Sequence, residues 1–391
     1  MAPVRSLYIC YFGLREPLVQ TQVLPYLREL TARGVEMSLL TFEPEPFDQA
    51  EWRERLRREG IAWHTLRYHK RPTLPATLYD IVRGAFRATS IARRGKIRIL
   101  HGRSHVGAAI GALAKRMCRA RLIFDFRGLL AEEYVDHGNW RAGGVLFRLT
   151  KRAERWLLRD AEGVVFLTES IRQVLCGAGN PAGVVELIPC CVDVDRYAGA
   201  GSEELGAGDR VVYVYSGALG GYYLFEEMAR LIRTDPRAFA LILTKSDPRP
   251  MTAALQRAGF SEADFRVLSV APDDVPKYLG AADVGISLIL QSPARRAASP
   301  TKFAEYLAAG LPVIHSAGVG DLDAQVEQHR VGVLVRSLDD AAYADAIRAM
   351  TELRRDPELA ARCRALARAE YDLHDVGGER YRRLYDAVLR P

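Results

Sequence analysis

The sequence contains no long hydrophobic run. Its longest uninterrupted stretch of apolar or small residues covers only residues 106–114, far short of the ~18 residues that a membrane-spanning helix requires. The first residues alternate like a strand and reach Arg15 without a small-residue cleavage site, which is not the pattern of a signal peptide. Cysteine is sparse, with six residues, no CxxC pair and no metal-ligand spacing. We therefore expect a cytoplasmic protein with reduced thiols and no metal site.

Several common nucleotide and hydrolase motifs are also missing. There is no GxxxxGK[ST], no GxGxxG after the first predicted strand and no GxSxG. These absences argue against P-loop NTPases, dinucleotide-dependent dehydrogenases and α/β-hydrolases. No zinc-finger spacing, RNP-like aromatic string or basic zipper occurs, so nucleic acid is not an expected partner.

Positive charge is concentrated in one stretch. The whole chain has 55 Lys and Arg against 48 Asp and Glu, a net charge of +7. Residues 51–121 hold 18 basic and 4 acidic residues, a net +14, which leaves −7 for the rest. Such a stretch fits a surface that meets an anionic partner, such as a membrane leaflet, and it fits solvated arginine-rich helices equally well. A peripheral position on the inner face of the membrane therefore stays open beside a free cytoplasmic one.

Short β-rich runs alternate with longer amphipathic segments along the chain. Seven strands are predicted between residues 7 and 189, and six more between residues 211 and 335. This alternation predicts an α/β fold with parallel sheets and helices on both faces, and the length fits two domains. The predicted organisation is a Rossmann-like domain at 1–192, a linker rich in Gly, Ala and acids at 193–210, a second Rossmann-like domain at 211–372, and a C-terminal helix at 373–391 that packs back on the first domain.

The strongest local signal is SPTKFAEYLAAGLPVIHSAG, residues 299–318. Ser299 and Thr301, on either side of a proline, predict a capped helix start. The free N–H groups of a helix N-terminus favour phosphate, and Lys302 adds a full positive charge there. Glu305 lies about one turn further on the same face, where its carboxylate suits the two vicinal hydroxyls of a ribose. We therefore expect all four residues to bind a nucleotide, and an ordinary capped helix before a strand is the alternative.

A glycine-rich loop precedes this segment in the same predicted domain. The text SGALGGYY carries Gly217, Gly220 and Gly221 between a strand and a helix. Glycines let the backbone approach a diphosphate closely. A plain glycine turn is the alternative.

Together these segments resemble the donor site of the retaining GT-B glycosyltransferases of the glycogen-synthase-like superfamily, the family 4-like enzymes. In that family the helix reads E…AAG.PV, and its Glu binds the ribose of the sugar nucleotide. The resemblance covers most of the chain and is weakest at residues 44–95. It implies two facing Rossmann-like domains, the first on the acceptor side and the second holding the donor.

The resemblance also implies an activity. A retaining, hexosyltransferase-like enzyme would transfer a sugar from a nucleotide-diphosphate sugar to a glycan, lipid-linked or small-molecule acceptor in polysaccharide or glycoconjugate biosynthesis. It would need no metal and no cofactor besides the nucleotide-sugar substrate. In that mechanism the leaving diphosphate assists the acceptor, so no separate general base is required.

Two departures from the family pattern affect the expected site. Ala297 stands where many members have a second Glu near the donor sugar, and the glycine loop lacks the usual Arg and Lys. The cations that can replace them at the diphosphate are Lys302, Lys245 and either Arg295 or Arg296, with Lys302 the first choice. A sugar-nucleotide epimerase and a non-catalytic sugar-nucleotide-binding partner remain alternatives.

On the acceptor side, candidate residues follow two strands of the first domain. Asp125 and Arg127 stand where the family often presents a His, and we expect one of them to face the cleft as a catalytic residue. The alternative is a turn that forms salt bridges with Glu132 or Glu133. His101 and Arg103 end a neighbouring strand, and the carboxyl ends of parallel strands line the crevice in such sheets.

The loop after the first strand completes the predicted site. Gly13 and Gln22 are expected beneath the donor sugar. A capped first helix explains these two residues nearly as well.

Overall fold

The computed structural model describes residues 3–177, 179, 181–199 and 201–390. The chain divides into two compact units, residues 1–189 together with 373–391, and residues 190–372. Residues 193–210, the predicted linker, fall within the second unit. The first two and the last residue of the predicted domain ranges, together with residues 178, 180 and 200, lie outside the described part.

The first unit alternates strands and helices. Its strands are β1 (Val4–Cys10), β2 (Val35–Glu43), β3 (Ile61–Arg67), β4 (Ile99–Arg103), β5 (Arg121–Asp125), β6 (Gly163–Phe166) and β7 (Val184–Leu187). Its helices before residue 190 are α1 (Pro17–Gln22), α2 (Leu24–Ala32), α3 (Ala50–Arg58), α4 (Thr73–Gly95), α5 (Ser104–Lys115), α6 (Leu130–Asp136), α7 (Val145–Asp160) and α8 (Glu169–Gly177).

These strands form one parallel sheet in the order β3-β2-β1-β4-β5-β6-β7. Every residue of β4 is buried, and so is every residue of β5 except Arg121. Burial on both faces is the pattern of a parallel sheet covered by helices on both sides. The strand order reverses between β1 and β4, and ligands of such sheets bind at the carboxyl ends of the strands beside this switch point.

The second unit repeats the pattern. Its strands are β8 (Val211–Ser216), β9 (Ala238–Leu243), β10 (Phe265–Leu268), β11 (Val284–Ser287), β12 (Val313–Ser316) and β13 (Gly332–Val335). Its helices are α9 (Phe225–Arg233), α10 (Arg249–Arg257), α11 (Val275–Gly280), α12 (Thr301–Ala309), α13 (Leu322–His329), α14 (Asp340–Leu353) and α15 (Leu359–Tyr371).

The second sheet is parallel in the order β10-β9-β8-β11-β12-β13, with its switch point between β8 and β11. Apolar cores lie on both faces, one including residues of α12 and α15 and the other residues of α9, α10 and α14. A Cβ at Gly285 of β11 would collide with the Tyr306 ring, so α12 approaches the sheet over a glycine. The expected fold, two Rossmann-like units with parallel sheets of seven and six strands, is confirmed for the described residues.

The end of the chain belongs to the first unit. A π-helical turn (Leu373–Gly378) leads into α16 (Glu379–Leu389). The Tyr385 hydroxyl of α16 shares hydrogen bonds with His101 Nδ1 at 2.8 Å and Ser6 Oγ at 3.2 Å. Among the helices described here, none has both the length and the apolar character to cross a membrane.

Candidate functional site

The glycine loop lies at the switch point of the second sheet, directly after β8. Gly217, Gly220 and Gly221 have backbone φ angles of 140°, 90° and 65°, which residues other than glycine rarely adopt. The loop is fixed by its own hydrogen bonds, because Gly217 N–H donates to the Leu243 carbonyl at 2.9 Å and Leu219 N–H to Ser246 Oγ at 3.0 Å. The backbone conformation of the loop therefore favours glycine at all three predicted positions. Because these residues have no side chains, a ligand can approach the loop backbone closely.

Lys302 lies in the first turn of α12 with its ammonium group next to this loop. A Cβ at Gly217 would be 3.0 Å from Lys302 Nζ. The side chain is 6% exposed, and Nζ has no hydrogen-bond partner within the described residues. It lies over the Tyr215 and Tyr223 rings, 3.9 Å and 3.5 Å from their centroids. Burial lowers the pKa of Lys302 well below its usual 10.5, although nearby Glu305 opposes the shift.

Glu305 is half-buried one turn along α12. Burial raises the pKa of its carboxyl group, against a hydrogen bond from Tyr197 and the charges of Lys302 and Arg196. Tyr197 and Arg196 come from the segment that the composition predicts to be a linker. No motif in the sequence marks these two residues, because only folding brings them next to Glu305.

The remaining predicted donor-side residues take different positions. Ser299 is not the helix cap, because Pro300 holds that position without a side-chain bond and Ser299 Oγ accepts from Cys190 N–H at 3.1 Å. Thr301 begins α12 and is partly buried, and Lys245 is exposed just beyond β9. Arg295 and Arg296 differ from each other. Arg295 is buried with its guanidinium 4.0 Å from the Tyr222 ring centroid, and Arg296 is exposed.

Two further buried polar groups end the neighbouring strands β11 and β12. Ser287 and His315 are paired in the sheet register, and each is 1% exposed. His315 Nδ1 bonds to the Ser316 carbonyl at 2.7 Å, which leaves Nε2 as an acceptor. Burial, together with the charge of Lys302, lowers the pKa of His315 to about 4. Neither Ser287 Oγ nor His315 Nε2 has a hydrogen-bond partner among the described residues.

The acceptor-side candidates of the first unit meet around one buried carboxylate. Asp125 is fully buried at the end of β5 and accepts from the Tyr8 hydroxyl at 3.0 Å and from Arg127 Nη1 at 3.4 Å. Arg103 Nη1 and His101 Nε2 lie 3.6 Å and 3.8 Å from the carboxylate. Burial alone would raise the pKa of Asp125, but these cations and His101 hold it well below its usual range.

Gln22 extends the same cluster to α1. Its side-chain oxygen accepts from Arg127 Nη2, and its carbonyl accepts from Arg103 Nη1, both at 3.4 Å. The predicted residues Gln22, His101, Arg103, Asp125 and Arg127 are thus brought together. The Asp125 carboxylate faces the guanidinium groups of Arg127 at 3.4 Å and Arg103 at 3.6 Å.

Gly13 lies in a separate contact on the loop after β1. A Cβ there would be 2.8 Å from Pro44 Cδ and 2.9 Å from Glu43 Oε2. The Glu43 carboxylate accepts from Leu14 N–H at 3.0 Å and 3.2 Å and from Thr41 Oγ1 at 2.5 Å. Glu43 therefore holds the loop after β1 in place. The sequence does not predict this role, because a single acidic residue at the end of a strand belongs to no motif. Within the described residues, no group of three His, Cys, Asp or Glu residues could hold a metal ion.

Comparison with known proteins adds two family matches. Residues 19–196 match the family model described as Glycosyltransferase Family 4, and residues 211–352 match the one described as Glycosyl transferases group 1. Among curated proteins, none matches this chain.

Solved structures with the same fold align over nearly the whole chain. Sucrose-phosphate synthase from Thermosynechococcus elongatus is 17% identical, with a TM-score of 0.74 over 98% of this chain and 100% of that one. A glycosyltransferase from Rickettsia africae is 14% identical, with a TM-score of 0.72 over 100% of both chains. Anabaena HepE in complex with UDP is 14% identical, with a TM-score of 0.72 over 98% of this chain and 100% of that one.

These identities are low, so the structural likeness speaks for the fold. The family matches follow each other along the chain and fall on the two parallel-sheet units. The protein therefore belongs to the glycosyltransferases of the GT-B fold, with a family 4 domain followed by a group 1 domain.

Proposed function

We propose that this glycosyltransferase transfers a sugar from a nucleoside diphosphate sugar to an acceptor, with retention of the anomeric configuration and without a metal ion. The observation that carries the proposal is the buried, unpartnered ammonium of Lys302 beside the glycine loop. A buried charged donor without an acceptor is costly. A diphosphate over Gly217 would give Lys302 the anion that it lacks.

In this proposal Lys302 acts on the leaving group. Negative charge develops on the diphosphate as the glycosidic bond to the sugar breaks, and a fixed positive charge in a water-poor position stabilises it strongly. An oxygen of the departing diphosphate takes the proton of the attacking hydroxyl, which enters on the same face of the sugar. Lys302 thereby replaces the loop cations that this chain lacks.

Glu305 is proposed to hold the ribose of the donor. Its raised pKa reflects a partly buried carboxylate that already accepts from Tyr197. A ribose diol can add two further donors to the same carboxylate. Thr301, Ser299, Lys245 and Arg296 remain predicted contacts of the same donor.

On the acceptor side, the structure favours a positioning role for Asp125. Its carboxylate is fully buried and holds Arg103 and Arg127. We assign Arg127, with Gln22 against it, as the residue of this cluster that meets substrate. The acceptor itself is a glycan, a lipid-linked sugar or a small molecule.

HepE, similar in fold, has been solved with UDP and with UDP-glucose, so UDP-sugars are the first donors to test. Calorimetry with UDP-, GDP-, ADP-, CDP- and dTDP-sugars identifies the base. Incubation with soluble and lipid-linked acceptors then measures transfer, and NMR of the product gives the anomeric configuration. An inverted product, or activity abolished by EDTA, would contradict the proposal.

The same experiment separates two other activities. Isomerised free donor without transfer would indicate an epimerase. Donor binding without turnover would indicate a non-catalytic partner, which the 1% exposed Ala297 in place of a donor-side Glu favours.

The assignment of Glu305 to the ribose is tested by a double-mutant-style cycle, in which the wild type and a Glu305 variant each bind a nucleotide with and without the 2′-hydroxyl. Glu305→Ala should weaken nucleotide binding by ~1.5–3 kcal/mol, the range for hydrogen bonds to a charged group. A 2′-deoxynucleotide should bind more weakly than the ribonucleotide in the wild type and equally well in Glu305→Ala. Glu352→Ala, at an exposed site on α14, is the matched control. An undiminished ribose preference in Glu305→Ala would remove Glu305 from the ribose site.

A further inference from the structure

Helix α4 of the first unit exposes an apolar stripe to solvent. Five large side chains on its first four turns are between 48% and 64% exposed. Four of them recur at every fourth residue, which places them along one side of the helix. We call this set the α4 stripe: Leu74, Leu78, Tyr79, Val82 and Phe86.

The opposite side of α4 is packed against the unit. Its buried positions are mostly small, including Ala85, Ala88 and Ala92. A Cβ at Gly84 would lie 2.9 Å from Ile110 of α5, so the two helices approach closely. The stripe is therefore presented by a helix that its own unit holds in place. Exposed apolar patches of this kind mark protein or membrane interaction sites.

Basic residues flank the stripe, and no exposed acid accompanies them. Residues 67–98 contain nine Arg or Lys and one acidic residue, Asp80. Asp80 is buried and accepts from the Tyr11 hydroxyl and from His69 N–H, both at 2.9 Å. The basic residues are exposed except for the partly buried Arg83. The accessible surface of this segment is thus apolar and positively charged.

A second helix of the same layer has a similar surface. α5 lies against both α4 and α7. On α7, Val145, Leu149 and Trp156 are 64%, 53% and 37% exposed. The acid within that stretch, Glu154, is buried and paired with His105 and Lys151.

We propose that α4 docks on an anionic lipid surface, lying in the plane of the interface with the α4 stripe among the acyl chains. A stripe of Leu, Val and aromatic residues bordered by Arg and Lys is the composition of interfacial helices. The positive charge beside the α4 stripe favours a lipid surface over a second copy of this chain as its partner. A second copy of this chain on the stripe would bring two sets of basic flanks together, whereas anionic headgroups neutralise them.

The test is flotation of the whole protein, without donor or acceptor, on two kinds of vesicle. The protein should float with vesicles of phosphatidylcholine and phosphatidylglycerol and stay soluble with phosphatidylcholine alone. Binding should weaken as salt rises through ~0.15 M, where the screening length falls to ~8 Å. Insertion of the α4 stripe into the bilayer is measured with the Phe86→Trp variant. The fluorescence of the added tryptophan should be quenched by lipids with brominated acyl chains.

The matched variants assign the surface. Leu78→Glu/Phe86→Glu should reduce partitioning at least ~tenfold, because two inserted apolar groups are lost and two negative charges are added. Val174→Glu/Leu338→Glu makes the same change at side chains 43% and 45% exposed elsewhere, and it should float like the wild type. Absent flotation, or equal loss in both variants, overturns the proposal. A dimer that Leu78→Glu/Phe86→Glu converts to a monomer also overturns it, since a second copy would then cover the stripe.

Discussion

The amino group of Lys302 lies where water barely reaches it. Two tyrosine rings at 3.5 Å and 3.9 Å compensate in part, but cation–π contact replaces only some of the lost hydration. Burial therefore lowers the pKa of Lys302 well below 10.5. A residue kept at such a cost to folding is typical of a binding site rather than of a core.

This gives a prediction with opposite signs for stability and binding. Lys302→Met keeps the length of the side chain and removes the buried charge, so the free energy of unfolding should rise by ~0.5–2 kcal/mol at neutral pH. Donor affinity should fall by ~1.5–3 kcal/mol. Calorimetric unfolding without ligand and donor titration measure the two effects.

The pH dependence of the stability gain follows from linkage. The folded state binds the Lys302 proton more weakly than the unfolded state. Burial of Lys302 therefore lowers the free energy of unfolding by its full amount at pH values below the folded pKa. This loss of stability vanishes as the pH rises towards 10.5. The difference between Lys302→Met and wild type should shrink over that range. The exposed Lys245→Met is the control, with stability unchanged. Destabilisation by Lys302→Met at neutral pH would show that the ammonium supports the fold.

At the scale of residues, the sequence predicts a site residue where a motif carries it. Lys302, Glu305 and the three glycines stand in motifs with a fixed spacing. Tyr197 and Glu43 do not, because their role depends on which segments fold next to them. Ser299 shows the limit of local patterns, since its hydroxyl bonds to Cys190 from a distant segment instead of capping its own helix.

At the scale of elements, two strand ends and one helix build the Asp125 cluster. β4 supplies His101 and Arg103, and β5 leads from Asp125 to Arg127. The parallel register pairs Arg103 with Asp125 directly. Alternation of strands and helices is enough to predict that these ends share one edge of the sheet. The burial of the carboxylate is not predictable that way, because it depends on side chains from several elements.

The cluster predicts a loss of stability that depends on the substitution. Asp125→Ala leaves the Arg103 and Arg127 charges buried without their anion and should cost ~3–5 kcal/mol of unfolding free energy. Asp125→Asn keeps the shape and should cost less. All four tryptophans, at positions 52, 63, 140 and 156, lie in the first unit, so fluorescence-detected urea unfolding reports on that unit.

The free energy of unfolding at acidic pH tests the charge of Asp125. Because the pKa of Asp125 is depressed on folding, its contribution is full above its unfolded value of about 3.8 and declines at lower pH. The gap between wild type and Asp125→Asn should narrow there. Asp48→Asn, at an exposed helix start, serves as the control. A constant gap across this range would mean that the carboxylate is not charged in the folded protein.

At the scale of the whole molecule, the chain leaves the first unit, forms the second and returns. The parallel pairing of the strands within each sheet follows from local alternation and right-handed connections. The return does not follow from them, since a C-terminal amphipathic helix can pack on either unit. What holds it in the first unit is burial, with Tyr381, Leu384, Tyr385 and Val388 all at most 4% exposed.

Ending the chain at Asp372 should therefore affect the two units differently. Losing four buried side chains at ~1.5–3 kcal/mol each removes roughly 6–12 kcal/mol from the first unit, comparable with the whole stability of a domain. Its tryptophan emission should shift to that of the unfolded chain. The proposed donor residues lie in residues 190–372, so nucleotide binding should persist within the same order of magnitude. Native emission after truncation would show that α16 is dispensable, and lost binding by a folded second unit would place part of the donor site elsewhere.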